Sequence, residues 1–425
     1  MGSNWFSRCD LDGRFTYSQP FPHEKGGNSW LVYDWDQRRC IDVHVPKSVG
    51  GEVLPEAVEK FIDTLPADHV IAEITKDGSL VSSSPDDDGD RSWIPFYPPR
   101  TDFPRRVSTI RRRDLTEIDR LGIQVDLTTY SPAPGETRKV VFKYYVSETN
   151  VALWWHEANC VMRMPKHPNI VPFDSLVVDK VDGIDRVVGF TTQYIPGGTL
   201  SEDMDRVFEL KYLEQLIKVV DHLNLGVGIV HGDICPWNLL IDGKTDNIQL
   251  FDFNCAAKLG WDGDQENRHE FQYAKDRNDI KFVIFTVYEL ITREFCFRRE
   301  FYPHELDASK IMGKRKWVQH KDAQLDSPVE EYRRVLKEWA KRRAETDKEV
   351  DHFTKASTPL SWPPLRVDEF MSYDRSPLRK RGRMRSTLTT LGMDFLSWVR
   401  PPTRSLPLPE GQRLLATGEV VQDAK

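Results

Sequence analysis

Between Ile229 and Asn254 the chain reads IVHGDICPWNLLIDGKTDNIQLFDFN. Apolar runs with the length of buried strands bracket two short turns, and those turns collect a histidine, two aspartates and an asparagine. No other stretch constrains the fold as much, because the runs must be buried while the polar side chains stay together at their ends. Asp233, Asn238 and Asp252 carry oxygens that can take a proton from a hydroxyl or ligate magnesium, an ion that prefers hard oxygen ligands. Phosphoryl transfer uses such a set. The same residue types also serve as caps and turn formers, so the rest of the chain has to decide between the two readings.

The chain has 425 residues, enough for two domains or for one large domain with extensions, and its 39% hydrophobic content allows a buried core. A net charge of -7, mixed in sign throughout, gives no overall field toward nucleic acid or an anionic membrane. No direct nucleic-acid partner is expected. Six cysteines (Cys9, Cys40, Cys160, Cys235, Cys255 and Cys296) are scattered with no CxxC pair, and the N-terminus lacks an apolar signal core. The expectation is a reducing, intracellular compartment, cytoplasmic or nuclear. No apolar run of about 18 residues occurs, so no membrane-spanning helix is expected.

Residues 1–108 read as an α+β extension of unknown role. WLVYDWD and CIDVHV have strand character, PEAVEKFIDTL is helical, and HVIAEITKDGSLVSS is a further strand. The block ends in SSSPDDDGDRSWIPFYPPRTDFPRR, a loop or linker by its acidic residues, prolines and glycine. Asp86, Asp87 and Asp88 fit a solvated acidic loop better than a metal site.

From about residue 109 short strands follow closely. Leu115–Ile118, Val125–Tyr130 and Lys139–Val146 predict a small antiparallel sheet, joined by the RLGIQ turn and the SPAPGETR loop. In RKVVFKYYV, Lys143 interrupts an apolar run and must either snorkel outward or find an anion. Glu157, on the helical segment LWWHEANCVMRM, can supply one while Trp154 and Val161 pack inward. KHPNIV, the strands FDSLVVDK and RVVGFTTQY, and then QYIPGGTL complete the series. In this order the chain resembles the protein kinase superfamily: VVFK is similar to the VAIK strand, Glu157 to the glutamate of helix αC, and QYIPGGTL to the hinge between two lobes.

Next, ELKYLEQLIKVVDHLNLG predicts a helix ending at Gly226 and leads into IVHGDICPWNLLI, which resembles the catalytic loop HRDLKPEN. LFDFN resembles the DFG element, and DIKFVIFTVYELIT resembles helix αF, with Asp279 as the aspartate that braces the catalytic loop. The resemblance implies an α+β, two-lobed protein kinase-like fold over residues 109–345. Its N-lobe, a small sheet with αC, would run to about 195, and a mainly helical C-lobe from about 196. It further implies ATP and Mg2+ as ligands, Asp233 as the base for the attacking hydroxyl, and Asn238 and Asp252 as metal ligands. Lys143 would pair with the phosphates, fixed by Glu157, and Gln193, Ile195 and Gly122 would complete the nucleotide-binding set.

Five departures bear on activity. Gly122 is the lone glycine of RLGIQVDLTTY, where the family places a Gly-rich loop; Gly232 replaces the usual arginine, Cys235 a lysine and Asn254 the DFG glycine. The segment from Asp252 to Asp279 is short and has no APE signature, which leaves little platform for a peptide. The implied function is an atypical protein kinase acting on a protein hydroxyl, Ser/Thr before Tyr. Two alternatives remain open: a pseudokinase serving as a nucleotide-binding or scaffold module, and a small-molecule kinase of the aminoglycoside or choline kinase type. SPVEEYRRVLKEWAKRRAET predicts an amphipathic helix with Leu336 and Trp339 inward. Residues 346–425, rich in proline and arginine, are expected to be poorly ordered. Their basic run Arg379–Arg385 reads as a solvated tail segment, a nuclear signal or a contact for an acidic partner.

Overall fold

In the computed structural model, residues 13–23, 26–47, 51–85, 93–147, 151–261, 275, 278–365, 368–371, 377–380, 382–403 and 406–423 are described. The acidic run Asp86–Asp88 lies outside them. Two compact units divide the chain, one of residues 1–151, 174–192 and 366–425 and the other of residues 152–173 and 193–365. The fold is mixed α and β, consistent with the α+β expectation.

The first unit begins with a six-stranded sheet. Its strands are β1 (Phe15–Tyr17), β2 (Phe21–Pro22), β3 (Asn28–Asp34), β4 (Arg39–Val45), β5 (Ile71–Ile74) and β6 (Leu80–Ser84), ordered β1-β3-β4-β5-β6 with β2 on β3. Alternation in β4 sends Ile41, Val43 and Val45 to one face, and helix α1 (Leu54–Phe61) covers that face with Leu54, Ala57, Val58 and Phe61 at helical spacing. Full burial of each large side chain contributes roughly 1.5–3 kcal/mol. Because α1 crosses between them, β4 and β5 run parallel. The expected last strand of the extension is two strands, β5 and β6, broken by a turn at Gly78.

The unit continues with β7 (Trp93–Pro95), β8 (Thr109–Arg111), β9 (Thr116–Gly122), β10 (Val125–Tyr130), β11 (Arg138–Tyr144), β12 (Phe173–Val181) and β13 (Ile184–Gln193). The last six form a sheet in the order β8-β12-β13-β11-β10-β9. It differs from the antiparallel sheet predicted from sequence in that β9 continues to Gly122, into residues assigned to the RLGIQ turn, and in that β8 runs parallel to β12. Three residues pairing far along the chain give too short a pattern for periodicity to report.

In the second unit, α2 (Val151–Arg163) carries Trp154, Glu157 and Val161, all buried. α3 (Leu210–Asp221) passes into a π-helical turn over His222–Val227 and ends at Gly228 in the left-handed region, φ 72°, two residues beyond the predicted cap at Gly226. The wider turn accounts for the shift. Two ladders follow, β14 (Ile229–Val230) with β17 (Ala257–Lys258), and β15 (Leu239–Ile241) with β16 (Ile248–Leu250). Helices α4 (Asp279–Thr292), α5 (Cys296–Glu300), α6 (Ala308–Gly313) and α7 (Val329–Thr346) complete it, with Leu336 and Trp339 of α7 in the core.

The C-terminal residues return to the first unit. β18 (Asp368–Met371) pairs with β19 (Pro377–Lys380), β20 (Gly382–Met384) pairs with β7, α8 (Arg385–Thr390) follows, and β21 (Gln412–Leu414) pairs with β22 (Val420–Gln422). Where composition predicted poor order, Trp398 stacks on Tyr144 at 4.9 Å and donates to the Tyr97 hydroxyl at 2.7 Å. Arg400 is buried with Glu117. A few anchors of this kind hold a proline-rich segment that composition alone reads as loose. Among the described residues no helix is long and apolar enough to cross a membrane.

Candidate active site

The ladders β14–β17 and β15–β16 bury the apolar runs of the Ile229–Asn254 stretch, which leaves the polar residues in the crossings between them. Gly228 makes the entry possible. A Cβ there would meet Phe353 O at 2.8 Å and Phe353 Cα at 2.9 Å, and its φ is one that side-chain-bearing residues avoid.

Asp279, the first residue of α4, holds the loop from behind. It is 1% exposed and accepts hydrogen bonds from His231 N at 2.9 Å, Gly232 N at 2.8 Å and Asn224 Nδ2 at 2.8 Å. Those donors, with the helix N-terminus, make a buried carboxylate tolerable. Gly232 has φ 78°, so a glycine serves a backbone role at this position. His231 is buried: its Nε2 donates to Phe251 O at 3.0 Å, its Nδ1 accepts from Asp233 N at 3.3 Å, and its ring lies against Phe253. Both ring nitrogens are therefore committed to the backbone.

Asp233 stands beyond His231, half-buried, and Asn238 Nδ2 donates to its backbone oxygen at 2.8 Å and to its Oδ2 at 3.1 Å. The Leu239↔Leu250 register, with Phe251 N donating to Asn238 O at 3.3 Å, brings Asn238 alongside the residues that precede Asp252. Asp252 has φ 67° and accepts from Asn254 Nδ2 at 3.2 Å. The left-handed residue of this turn is thus Asp252 itself, a strained position for a non-glycine, and Asn254 lies in the helical turn after it.

Among the described residues no group of three or more His, Cys, Asp or Glu is placed to hold a metal ion. The donor set here is two carboxylates and an amide, and beside Asp252 the buried Asn254 Oδ1 has no hydrogen-bond partner among the described residues. Hard oxygens of this kind fit magnesium, which keeps several waters and takes one or two carboxylates with phosphate oxygens.

Burial pushes the Cys235 thiol well above its ordinary range, and the Asp233 and Asp252 charges push it further, so it is neutral at pH 7 and brings no positive charge. The nearby cation is one that sequence reasoning missed. Arg298 of α5 donates from Nε to both Glu289 oxygens at 2.9 Å and from Nη2 to Thr286 Oγ1 at 3.0 Å. Its guanidinium lies 5.9 Å from the Trp237 ring, and its charge acts on Cys235. Glu289, pushed up to about 7 by burial against the pull of Arg298, was the available signal: a lone acid within the apolar FVIFTVYELIT needs a buried partner. Asn224 was missed as well. Arg343 of α7 donates to its Oδ1 at 2.9 Å, which links α7 to the Asp279 network.

The structure therefore brings Asp233 and Asn238 into contact, with Asp252 close by. Glu157 lies on α2 and Ile195 is buried in the same unit; Gln193 is exposed, its N donating to Pro172 O at 2.9 Å. Lys143 and Gly122 belong to the first unit, Lys143 half-buried opposite Val125 and Gly122 at the end of β9.

No family model matches the chain. A stretch of 105 residues is 36% identical to CBL-interacting serine/threonine-protein kinase 16 of Arabidopsis thaliana, covering 23% of this chain and 21% of that protein. Another comparison gives 29% identity over 109 residues with Mitogen-activated protein kinase kinase kinase 19 of Homo sapiens, covering 24% of this chain and 8% of that protein. Both matches span far less than two thirds of the relative's length. The chain contains a region related to protein kinases.

Proposed function

We propose that this chain is an atypical protein kinase that transfers the γ-phosphoryl group of ATP to a protein hydroxyl, serine or threonine before tyrosine. One observation carries the reading: Asp233 and Asn238 are hydrogen-bonded to each other on a loop whose backbone is pinned by Asp279. A carboxylate so held, and still half-exposed, is positioned to take a proton from a substrate hydroxyl. Asn238 and Asp252 would hold Mg2+, which when bound neutralises charge on the phosphates. The finer fold assignment, a small sheet lobe followed by a mainly helical lobe, rests on the same reading.

A second reading, a nucleotide-binding module without turnover, is favoured by the neutral, buried Cys235 and the lone Gly122. The test is magnesium-dependent ATP turnover by wild type, Asp233→Ala and Lys143→Ala. Activity in the wild type that both substitutions abolish supports the kinase. Equal background in all three, with ATP still bound, selects the module.

A further inference from the structure

Arg38 and Arg39 are adjacent in sequence and opposite in circumstance. Arg38 pairs with Asp126 and Glu117, donates to the Tyr144 hydroxyl at 2.9 Å and to Ala416 O at 2.8 Å, and is neutralised. Arg39 is also buried, 6% exposed, yet forms no ion pair among the described residues. It donates from Nη1 to Pro66 O at 3.0 Å and from Nη2 to Ile62 O, while its buried Nε has no hydrogen-bond partner among the described residues. Asp34 and Asp63, the carboxylates whose charge reaches it, are already bonded to Arg14. A buried cation without a hydrogen-bonded anion is costly, and burial accordingly lowers the proton affinity of Arg39.

Arg39 lines a cavity of about 310 Å³ in the first unit. Its walls include Tyr33, Trp93, Phe395 and Trp398, with Cys40 beside Arg39, and Arg38, already paired with carboxylates, and Arg385 as further cations; among the described residues Asp68 is the one carboxylate in the lining. A cavity of about 150 Å³ accommodates benzene, so this one has room for a substituted ring. Aromatic walls with a few placed polar and charged groups are the usual make-up of a small-molecule site, and here the cations outnumber the carboxylate.

We propose that this cavity binds a small planar anion, a single aromatic ring bearing a carboxylate or phosphate group, whose charge is met by Arg39. The site is independent of phosphoryl transfer and gives the N-terminal sheet and the C-terminal residues a shared ligand. Cys40, half-buried in the lining, reports on occupancy, and the exposed Cys296 is an internal control. The experiment alkylates the full chain with N-ethylmaleimide and follows each cysteine by peptide mass mapping, with benzoate, phenyl phosphate, inorganic phosphate or neutral benzyl alcohol present.

By mass action, benzoate or phenyl phosphate at about ten times its Kd slows Cys40 alkylation roughly tenfold, leaving Cys296 unchanged. The two probes distinguish carboxylate from phosphate. Benzyl alcohol and inorganic phosphate, each lacking half of the proposed ligand, protect at least roughly tenfold less well, and Arg39→Met weakens the anion by roughly 10- to 100-fold, the loss of a charge-assisted hydrogen bond. Should Arg39→Met fail to fold, Phe395→Ala, which removes part of the ring wall, must weaken both ring-bearing anions. The proposal is overturned if neither aromatic anion protects Cys40, if benzyl alcohol protects equally, or if protection survives the substitutions unchanged.

Discussion

Replacing Asp279 by alanine separates bracing from chemistry. The substitution removes a buried acceptor and leaves His231 N, Gly232 N and Asn224 Nδ2 facing a void where bonds of 2.8–2.9 Å had been. Each orphaned buried donor costs about 1–3 kcal/mol, and partial relaxation brings the sum to about 3–5 kcal/mol, the range for breaking a buried charged network. Against a total stability of about 5–15 kcal/mol for a domain, that is a large share. With a urea m-value of about 2 kcal/mol/M, the midpoint of the second unit's transition falls by roughly 2 M. Asp279→Asn keeps the shape but turns one oxygen into a donor that faces donors, so it is expected between alanine and wild type. Asp233→Asn is the control: half-exposed and isosteric, with its carboxylate accepting from Asn238 at 3.1 Å, it should move the midpoint by less than about 0.5 M while abolishing turnover. Urea titrations of the three variants, followed by circular dichroism, decide the matter. A midpoint for Asp279→Ala within about 0.5 M of wild type refutes the bracing argument.

Acid should weaken the second unit through His156, whose Nε2 donates to Ala256 O while its ring packs on Trp362 and the Lys258 charge opposes protonation. Burial lowers its pKa to about 4, below the ordinary value, so the unfolded chain binds the extra proton first. Stability is complete above about pH 6.5 and falls toward pH 4, by on the order of 3 kcal/mol; thermal melts across that range should show a shallower slope in His156→Gln. In the first unit, Arg38→Met leaves Asp126 and Glu117 buried without their ion pairs to Arg38, Arg400 and the Arg120 charge remaining, at a cost of about 3–5 kcal/mol, and adding Asp126→Asn should recover part of it in a double-mutant cycle. Gly228→Ala forces a Cβ to within 2.8 Å of Phe353 O at a left-handed φ, and calorimetry should register a loss of about 2–4 kcal/mol.

What could be read from sequence follows the distance between partners. His231, Asp233, Asn238 and Asp252 were legible because their bonds close within one short stretch, and α4 because its first turn and apolar face belong to one helix. Periodicity also gave β4 and α1, whose apolar positions repeat locally. Arg298 and Asn224 were not legible as site residues, since each acts through a group on another element. The C-terminal residues are the sharper case. Arg400 reaches Glu117 across 283 positions and Ala416 meets Arg38 across 378, distances at which composition reports only that proline and arginine are common. Arg38 and Arg39 make the physical reason plain. They are the same residue one position apart, Arg38 in the turn with φ 52° and Arg39 opening β4, and the change of backbone conformation gives their guanidinium groups different partners, two carboxylates and a hydroxyl for the one and two carbonyls for the other. A charge in a sequence is a demand for a partner, and only the fold shows whether the chain meets it or leaves it to a ligand.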